Sequence, residues 1–286
     1  MFLAFAELGL YKDLARLITF KYLDSTERWA IWASAQKAVD GKNILFPAHF
    51  SERVARTGNL VLLKWAWDNG CSLDGEMCFI AAKHGHLKLL KWIRKKGCMW
   101  DEWTSINAAK NGHLHVFKWL LKNGCPVTDA ACSFAAANGH VDIMWYAETH
   151  GYKWNKNTCT FAAGAGRLKI LQMLKSYNCK WNKWTCAVAA KNGHLDVLQW
   201  ARSRHCPWDA FTCAYAAERG RLEVLQWARA NGCPWDEYTC LRAAEFGRLK
   251  VLQWVRANNC PWDRDQCLDF ATQNGHETVV EWIEKH

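Results

Sequence analysis

The sequence predicts an all-α chain: an array of about nine stacked helical hairpins forming a solenoid, preceded by an N-terminal helical cap. Three observations carry this. A 27-residue segment recurs with little change, its first position falling at Cys71, Cys98, Cys125, Tyr152, Cys179, Cys206, Cys233 and Cys260, with a fainter copy over 44–70. Within the copies a pair of alanines is followed by a glycine, as in Ala189-Ala190 and Gly193. Beyond the glycine, apolar residues fall at helical spacing, as in Leu249, Val251, Leu252, Trp254 and Val255, which makes one buried face. A unit this short cannot bury that face alone, so neighbouring units must cover it.

Residues 1–43 do not fit the repeat. Phe5-Ala6-Glu7-Leu8-Gly9, followed by Leu10, Leu14, Leu17 and Ile18, reads as the rear half of a degenerate unit. Asp24-Ser25-Thr26-Glu27 reads as a capping box before a helix that holds Trp29 and Trp32. The region is expected to cover the apolar end of the array as a cap; the alternative is a separate helical motif that recruits a partner.

Residues 44–286 divide into repeats starting at 44, 71, 98, 125, 152, 179, 206, 233 and 260. Asp209, Asp236 and Asp263 occupy the N-cap column before the first helix. The alanine pairs let neighbouring helices approach to the lower end of the roughly 8–10 Å range. The glycine column runs Gly58, Gly85, Gly112, Gly139, Gly166, Gly193, Gly220 and Gly247; it suits a left-handed turn between the two helices. The repeat from Tyr152 departs most, with Gly164-Ala165-Gly166 at its turn, and is expected to be a softer joint. The last repeat holds one extra residue between Cys267 and Gly275. Its second helix carries Glu277, Glu281 and Glu284, so it reads as a polar C-terminal cap.

Ala189-Ala190-Lys191-Asn192-Gly193-His194-Leu195 resembles the turn of the ankyrin repeat, and Gly232-Cys-Pro-Trp-Asp236 resembles that family's Gly-Ala-Asp-Val-Asn. The resemblance covers 44–286. Two departures stand out. Thr239-Cys240-Leu241-Arg242 replaces the family's Thr-Pro-Leu-His, and the repeat is shorter than the usual ankyrin length of about 33. The missing residues fall where the family carries its β-hairpin finger, so tight turns are expected there. The resemblance also implies that first helices line a concave face, and that the histidines after the glycines (His86, His113, His140, His194 and His276) stabilise turns and are not metal ligands.

Composition narrows the function. No stretch approaches the roughly 20 apolar residues of a membrane span. Met1–Leu10 lacks a basic start and carries Glu7, so it does not read as a signal peptide, and an intracellular location, cytoplasmic or nuclear, is expected. The 14 cysteines fall in two columns seven residues apart, as in Cys71/Cys78, Cys125/Cys132, Cys179/Cys186, Cys206/Cys213, Cys233/Cys240 and Cys260/Cys267. They read as small buried thiols, with neither the short spacing of a zinc site nor a secreted disulfide framework. The tryptophan columns, Trp65, Trp92, Trp119, Trp200, Trp227, Trp254 and Trp282, and Trp100, Trp154, Trp181, Trp208, Trp235 and Trp262, read as core, with each indole N–H expected to find a carbonyl.

Binding in such an array uses positions that vary while the frame is fixed. One variable column holds Glu76, Trp103, Trp184, Phe211 and Tyr238; another holds Phe79, Ile106 and Leu241. The aromatics among them suit a binding hot spot. A third column, Lys83, Lys110, Lys191, Glu218 and Glu245, is expected to be solvated. Charge is concentrated: Lys83, Lys88, Lys91, Arg94, Lys95, Lys96, Lys110, Lys118 and Lys122 are opposed within their window only by Asp101 and Glu102, leaving +7 of the chain's +10. The expected function is a monomeric, non-enzymatic scaffold that recognises another protein through its concave first-helix face, with no cofactor and no metal. The alternative is nucleic acid or another acidic partner on the 83–122 window. No phosphate loop, nucleophile elbow or isolated acid/base pair is present.

Overall fold

A computed structural model describes residues 46–73 and 76–286. Among them are eighteen α-helices and no strand. The expected cap over 1–43 lies outside the described residues. Contacts group the chain into two compact bodies, one ending at Pro126 and one spanning Val127–His286. The N-terminal array holds α1 (Phe50–Thr57), α2 (Leu60–Asp68), α3 (Met77–Lys83), α4 (Leu87–Lys95), α5 (Glu102–Lys110) and α6 (Leu114–Lys122). The C-terminal array holds α7 (Asp129–Asn138), α8 (Val141–Thr149), α9 (Lys156–Gly164), α10 (Leu168–Ser176), α11 (Lys183–Asn192) and α12 (Leu195–Ser203). It continues through α13 (Ala210–Glu218), α14 (Leu222–Ala230), α15 (Glu237–Glu245), α16 (Leu249–Ala257), α17 (Arg264–Gln273) and α18 (Glu277–Glu284). Odd-numbered helices are the first of each hairpin and even-numbered ones the second.

The hairpin of α5 and α6 shows how sequence makes the unit. Asp101 caps α5 by accepting from the Thr104 backbone N–H at 3.2 Å, and Thr104 reaches back to the cap in a capping box. The helix ends at Gly112, whose φ of +79° is one a side chain would resist. The His113 N–H then bonds the Ala108 carbonyl at 2.9 Å, which closes the turn. In α6, Val116, Phe117 and Leu120 are buried and face the hairpin's interior. Within each array the first helices pack tightly on one another through the alanine pairs, all fully buried, while second helices touch one another far less. The first-helix side is therefore the tighter edge.

In six of the turns a second bond ties the turn to the next repeat. His86 donates to the Arg56 carbonyl at 3.0 Å, His113 to Lys83 at 3.0 Å, His194 to Gly164 at 3.1 Å and His276 to Glu245 at 3.0 Å. Arg167 and Arg248 do the same from the histidine position, to Ala137 and Glu218. The glycine column serves this contact too: a Cβ on Gly166 would lie 2.7 Å from His194 Nδ1.

All fourteen cysteines are free and buried. Each column has its own partner, and the neighbours are not those seven residues apart. A cysteine on a first helix meets the opening cysteine of the following repeat; the Cys159 and Cys179 sulfurs are 3.4 Å apart. The opening cysteines point their thiols at the previous N-cap carbonyl, Cys125 at Asp101 (3.4 Å), Cys233 at Asp209 (3.5 Å) and Cys260 at Asp236 (3.4 Å). They thus act as weak donors as well as apolar filler.

Burial pushes the Cys125, Cys132 and Cys267 thiols up to about 12. An unfolded thiol ionises near 8.5, so the stability these groups contribute is full below that value and falls as pH rises toward 12. The fall is about 1.4 kcal/mol per pH unit for each group that ionises on unfolding. Urea midpoints should hold from pH 6 to 8 and drop by pH 10.5, less steeply in Cys132→Ala. A midpoint that drops equally in that variant would rule Cys132 out as a contributor.

The tryptophan columns are not core. All thirteen are half-buried. Each tryptophan before an N-cap meets a second-helix tryptophan, five of the six edge-on, as in Trp100–Trp119 (5.6 Å, 69°) and Trp235–Trp254 (5.8 Å, 67°). Cations from the second helix of the preceding repeat cover such pairs: Arg94 lies 4.3 Å from the Trp100 ring centre and Arg229 4.0 Å from Trp235.

Candidate interaction surface

The opening turns of α11, α13 and α15 carry a row of aromatic rings. On α11 and α13 the cap fixes the backbone of the ring residue: Asn182 accepts from the Trp184 N–H at 3.1 Å, and Asp209 from the Phe211 N–H at 3.1 Å. Trp184 and Phe211 are each 37% exposed, far more than a packed ring. Trp184 lies 5.6 Å from Phe211, and Phe211 lies 5.9 Å from Tyr238. Tyr215 sits one turn further along α13, 6.1 Å from Trp184 and 6.0 Å from Phe211. The four rings come from three successive helices and form one apolar strip.

Charges frame the strip. Lys183 stands 5.6 Å from both the Trp184 and Phe211 rings and pairs with Asp209 at 2.7 Å. Lys191 covers Tyr215 at 4.8 Å and pairs with Glu218 at 2.9 Å. Arg242 covers Tyr238 at 4.7 Å and pairs with Glu245 at 2.7 Å. The column expected to be solvated is thus partly built in: Glu218 is only 5% exposed, because Lys191 and Arg219 both reach it.

The other candidate residues fall apart. Ile106 is 3% exposed and belongs to the core, and its column neighbours Ala187 and Ala214 are fully buried. Leu241 is half-buried. In the N-terminal array Trp103 is 50% exposed and joins Glu76, Phe79, Met99 and Trp100 around a shallow cleft of about 310 Å³. Tyr215 was not among the variable columns singled out above. Its own column, Phe134, Phe161, Val188, Tyr215 and Arg242, varies as strongly and lies four residues beyond Trp184's, hence on the same helical face.

The basic window is spread over first and second helices. Lys83 and Lys110 end first helices, whereas Lys88, Lys91, Arg94, Lys95, Lys118 and Lys122 lie on α4 and α6, with Lys96 capping α4. Arg94 donates to the Cys98 carbonyl at 2.9 Å while stacking on Trp100. Lys96 lies over Trp67 and Trp92 at 5.0 and 5.5 Å, and Lys91 6.0 Å from Trp119. Among the described residues, no group of three or more His, Cys, Asp or Glu is placed to hold a metal ion, and no helix is long and apolar enough to cross a membrane.

Residues 78–121, from α3 to α6, match the family model for ankyrin repeats in many copies. Over those residues the chain matches ankyrin repeats, and the other described hairpins are consistent with the same repeat. No curated protein matches the sequence. Ankyrin repeats generally serve as protein–protein interaction modules and are typically non-enzymatic. This ankyrin-like array keeps the paired helices, and among its described residues no strand joins one repeat to the next.

Proposed function

We propose that the protein is a binding scaffold whose C-terminal array recognises a protein partner through the first-helix strip of Trp184, Phe211, Tyr215 and Tyr238. The observation that carries this reading is the exposure of Trp184 and Phe211 within a contiguous aromatic row. Exposed aromatic anchors ringed by satisfied charges are the composition of an interface centre. Nucleic-acid binding through the 83–122 window has less support, because Arg94, Lys91 and Lys96 already lie on tryptophan rings.

The test compares three proteins in capture from the native cell: the unaltered chain, Trp184→Ala/Phe211→Ala, and Lys95→Glu. Each hot-spot ring contributes about 2 kcal/mol or more, so the double variant should lose recovered partner by more than about thirtyfold, while Lys95→Glu retains it. Both aromatics are exposed, so the melting temperature should stay within a few degrees. Loss with Lys95→Glu alone, together with a steep fall in binding between 50 and 200 mM salt as expected of phosphate contacts, would overturn the protein-partner reading.

A further inference from the structure

The repeat frame places a cation on the tryptophan that precedes each N-cap. Arg94 lies over Trp100 (4.3 Å), Lys175 over Trp181 (4.2 Å), Arg202 over Trp208 (4.1 Å), Arg229 over Trp235 (4.0 Å) and Arg256 over Trp262 (4.5 Å). Each cation also donates to the carbonyl of the cysteine that opens the repeat. Trp154 breaks the pattern. The residue in the cation column there is Glu148, whose carboxylate is turned to Lys153 at 3.0 Å.

Two further exceptions converge on the same place. Trp145 occupies a column that is Lys in earlier repeats and Gln in later ones, as at Gln172, Gln199, Gln226 and Gln253. Tyr177 occupies a column otherwise filled by Asn, Lys, His or Arg. The three rings meet as the walls of a corner. Trp145 and Trp154 are 4.7 Å apart at 68°, Trp145 and Tyr177 4.9 Å at 81°, and Trp154 and Tyr177 5.8 Å at 88°. Trp154 is held by its indole N–H, which donates to the Met144 carbonyl at 3.3 Å. Tyr177 is 60% exposed. The rings line an open cleft of about 770 Å³, together with Glu148, Lys153, Lys156 and Lys180.

From this we infer that the cleft is a ligand site for a trimethylammonium group carried beside a phosphate, the chemistry of phosphocholine. Three aromatic faces attract a cation. A trimethylammonium has no N–H to donate, so ring faces suit it better than the carbonyl that holds the arginines of other repeats. The formal charge lining the cleft argues against a bare cation: three lysines against one glutamate leave it positive. An anion next to the ammonium meets that charge, and phosphate accepts hydrogen bonds from lysine. The site is separate from the aromatic strip on α11, α13 and α15, and the inference does not depend on that strip's role.

The repeat itself supplies the controls. Glu148→Arg installs the side chain that caps the equivalent tryptophan elsewhere, and Trp145→Gln restores the residue of four other repeats; both should fold with melting temperatures near the parent's. Calorimetric titration of the full chain with phosphocholine should show one site. An isostere bearing a tert-butyl group in place of the trimethylammonium, 3,3-dimethylbutyl phosphate, should bind at least about tenfold more weakly, since only the cation–ring attraction is lost. Both variants should abolish the heat of binding. Sedimentation with phosphatidylcholine vesicles separates the sources: co-sedimentation lost in Glu148→Arg assigns the lipid headgroup, and binding of phosphocholine without co-sedimentation assigns a soluble ligand. No heat with phosphocholine at 10 mM, on the order of the weakest affinity such contacts give, would overturn the inference. Equal affinity for the isostere, or unchanged binding by Glu148→Arg, would do the same.

Discussion

Gly166→Ala is expected to destabilise the C-terminal array by about 2–4 kcal/mol, through backbone strain at a left-handed residue and overpacking against its neighbour. Its φ is +69°, and the added Cβ would sit 2.7 Å from Nδ1 and 2.8 Å from Cε1 of His194. The histidine cannot move aside without giving up its bond to the Gly164 carbonyl. His194→Ala alone removes that bond and should cost about 1 kcal/mol. In the double variant the clash has no partner, so the total should fall short of the sum of the single costs by about 1 kcal/mol or more. Urea unfolding at pH 7 measures all three. Simple additivity would mean that strain alone accounts for the glycine and that the contact between repeats is immaterial.

Phe117→Ala should be comparably severe, at about 3–5 kcal/mol. The ring is fully buried in α6, between Val116 and Leu120 on the apolar face. Trp119, two residues on, has the larger side chain, yet its alanine variant should cost no more than about 2 kcal/mol. It is half-buried and meets Trp100 at the surface, so its loss leaves an open notch and not a sealed cavity. Denaturant midpoints of the two variants decide the order. A Trp119→Ala cost equal to that of Phe117→Ala would return the tryptophan column to the core.

That comparison also marks what was legible in the chain. The helices and their ends are local matters: Asp101 before α5, the alanine pair within it and Gly112 after it act within one turn of backbone, and each landed where its chemistry directs. A column of period 27 is different. It guarantees only that a residue meets the same surroundings in every repeat, whether those are core or surface. Trp119, Ala189 and Lys191 are equally periodic; their burial depends on which neighbouring helix each faces. Ile106 lies inside although its column carries half-buried apolar residues elsewhere, and Tyr215 joins Trp184 because its column lies four residues along the same helical face. The pairing of Cys159 with Cys179 was hidden because it crosses between repeats.

The candidate surfaces were legible to different degrees. Trp184, Phe211 and Tyr238 could be found as aromatic members of one variable column, and their rings come together. The basic window could be counted but not mapped, because a run of charge says nothing about which side chains wrap onto tryptophans. The corner at Trp154 is made of exceptions drawn from three different columns, Trp145, Glu148 and Tyr177, and departures of that kind have meaning only once folding has brought them together.

The bracing of the turns has a polarity. The ring of His194 completes a carbonyl in the hairpin before it, as do Arg248 and His276. Where the brace forms, a hairpin is finished by its successor, some thirty residues downstream. A chain emerging from the ribosome carries its newest turn incomplete until the next hairpin has formed. A break in the chain does unequal harm to its two sides: the upstream fragment is left with an orphaned carbonyl at its last turn, while the downstream fragment keeps every one of its own.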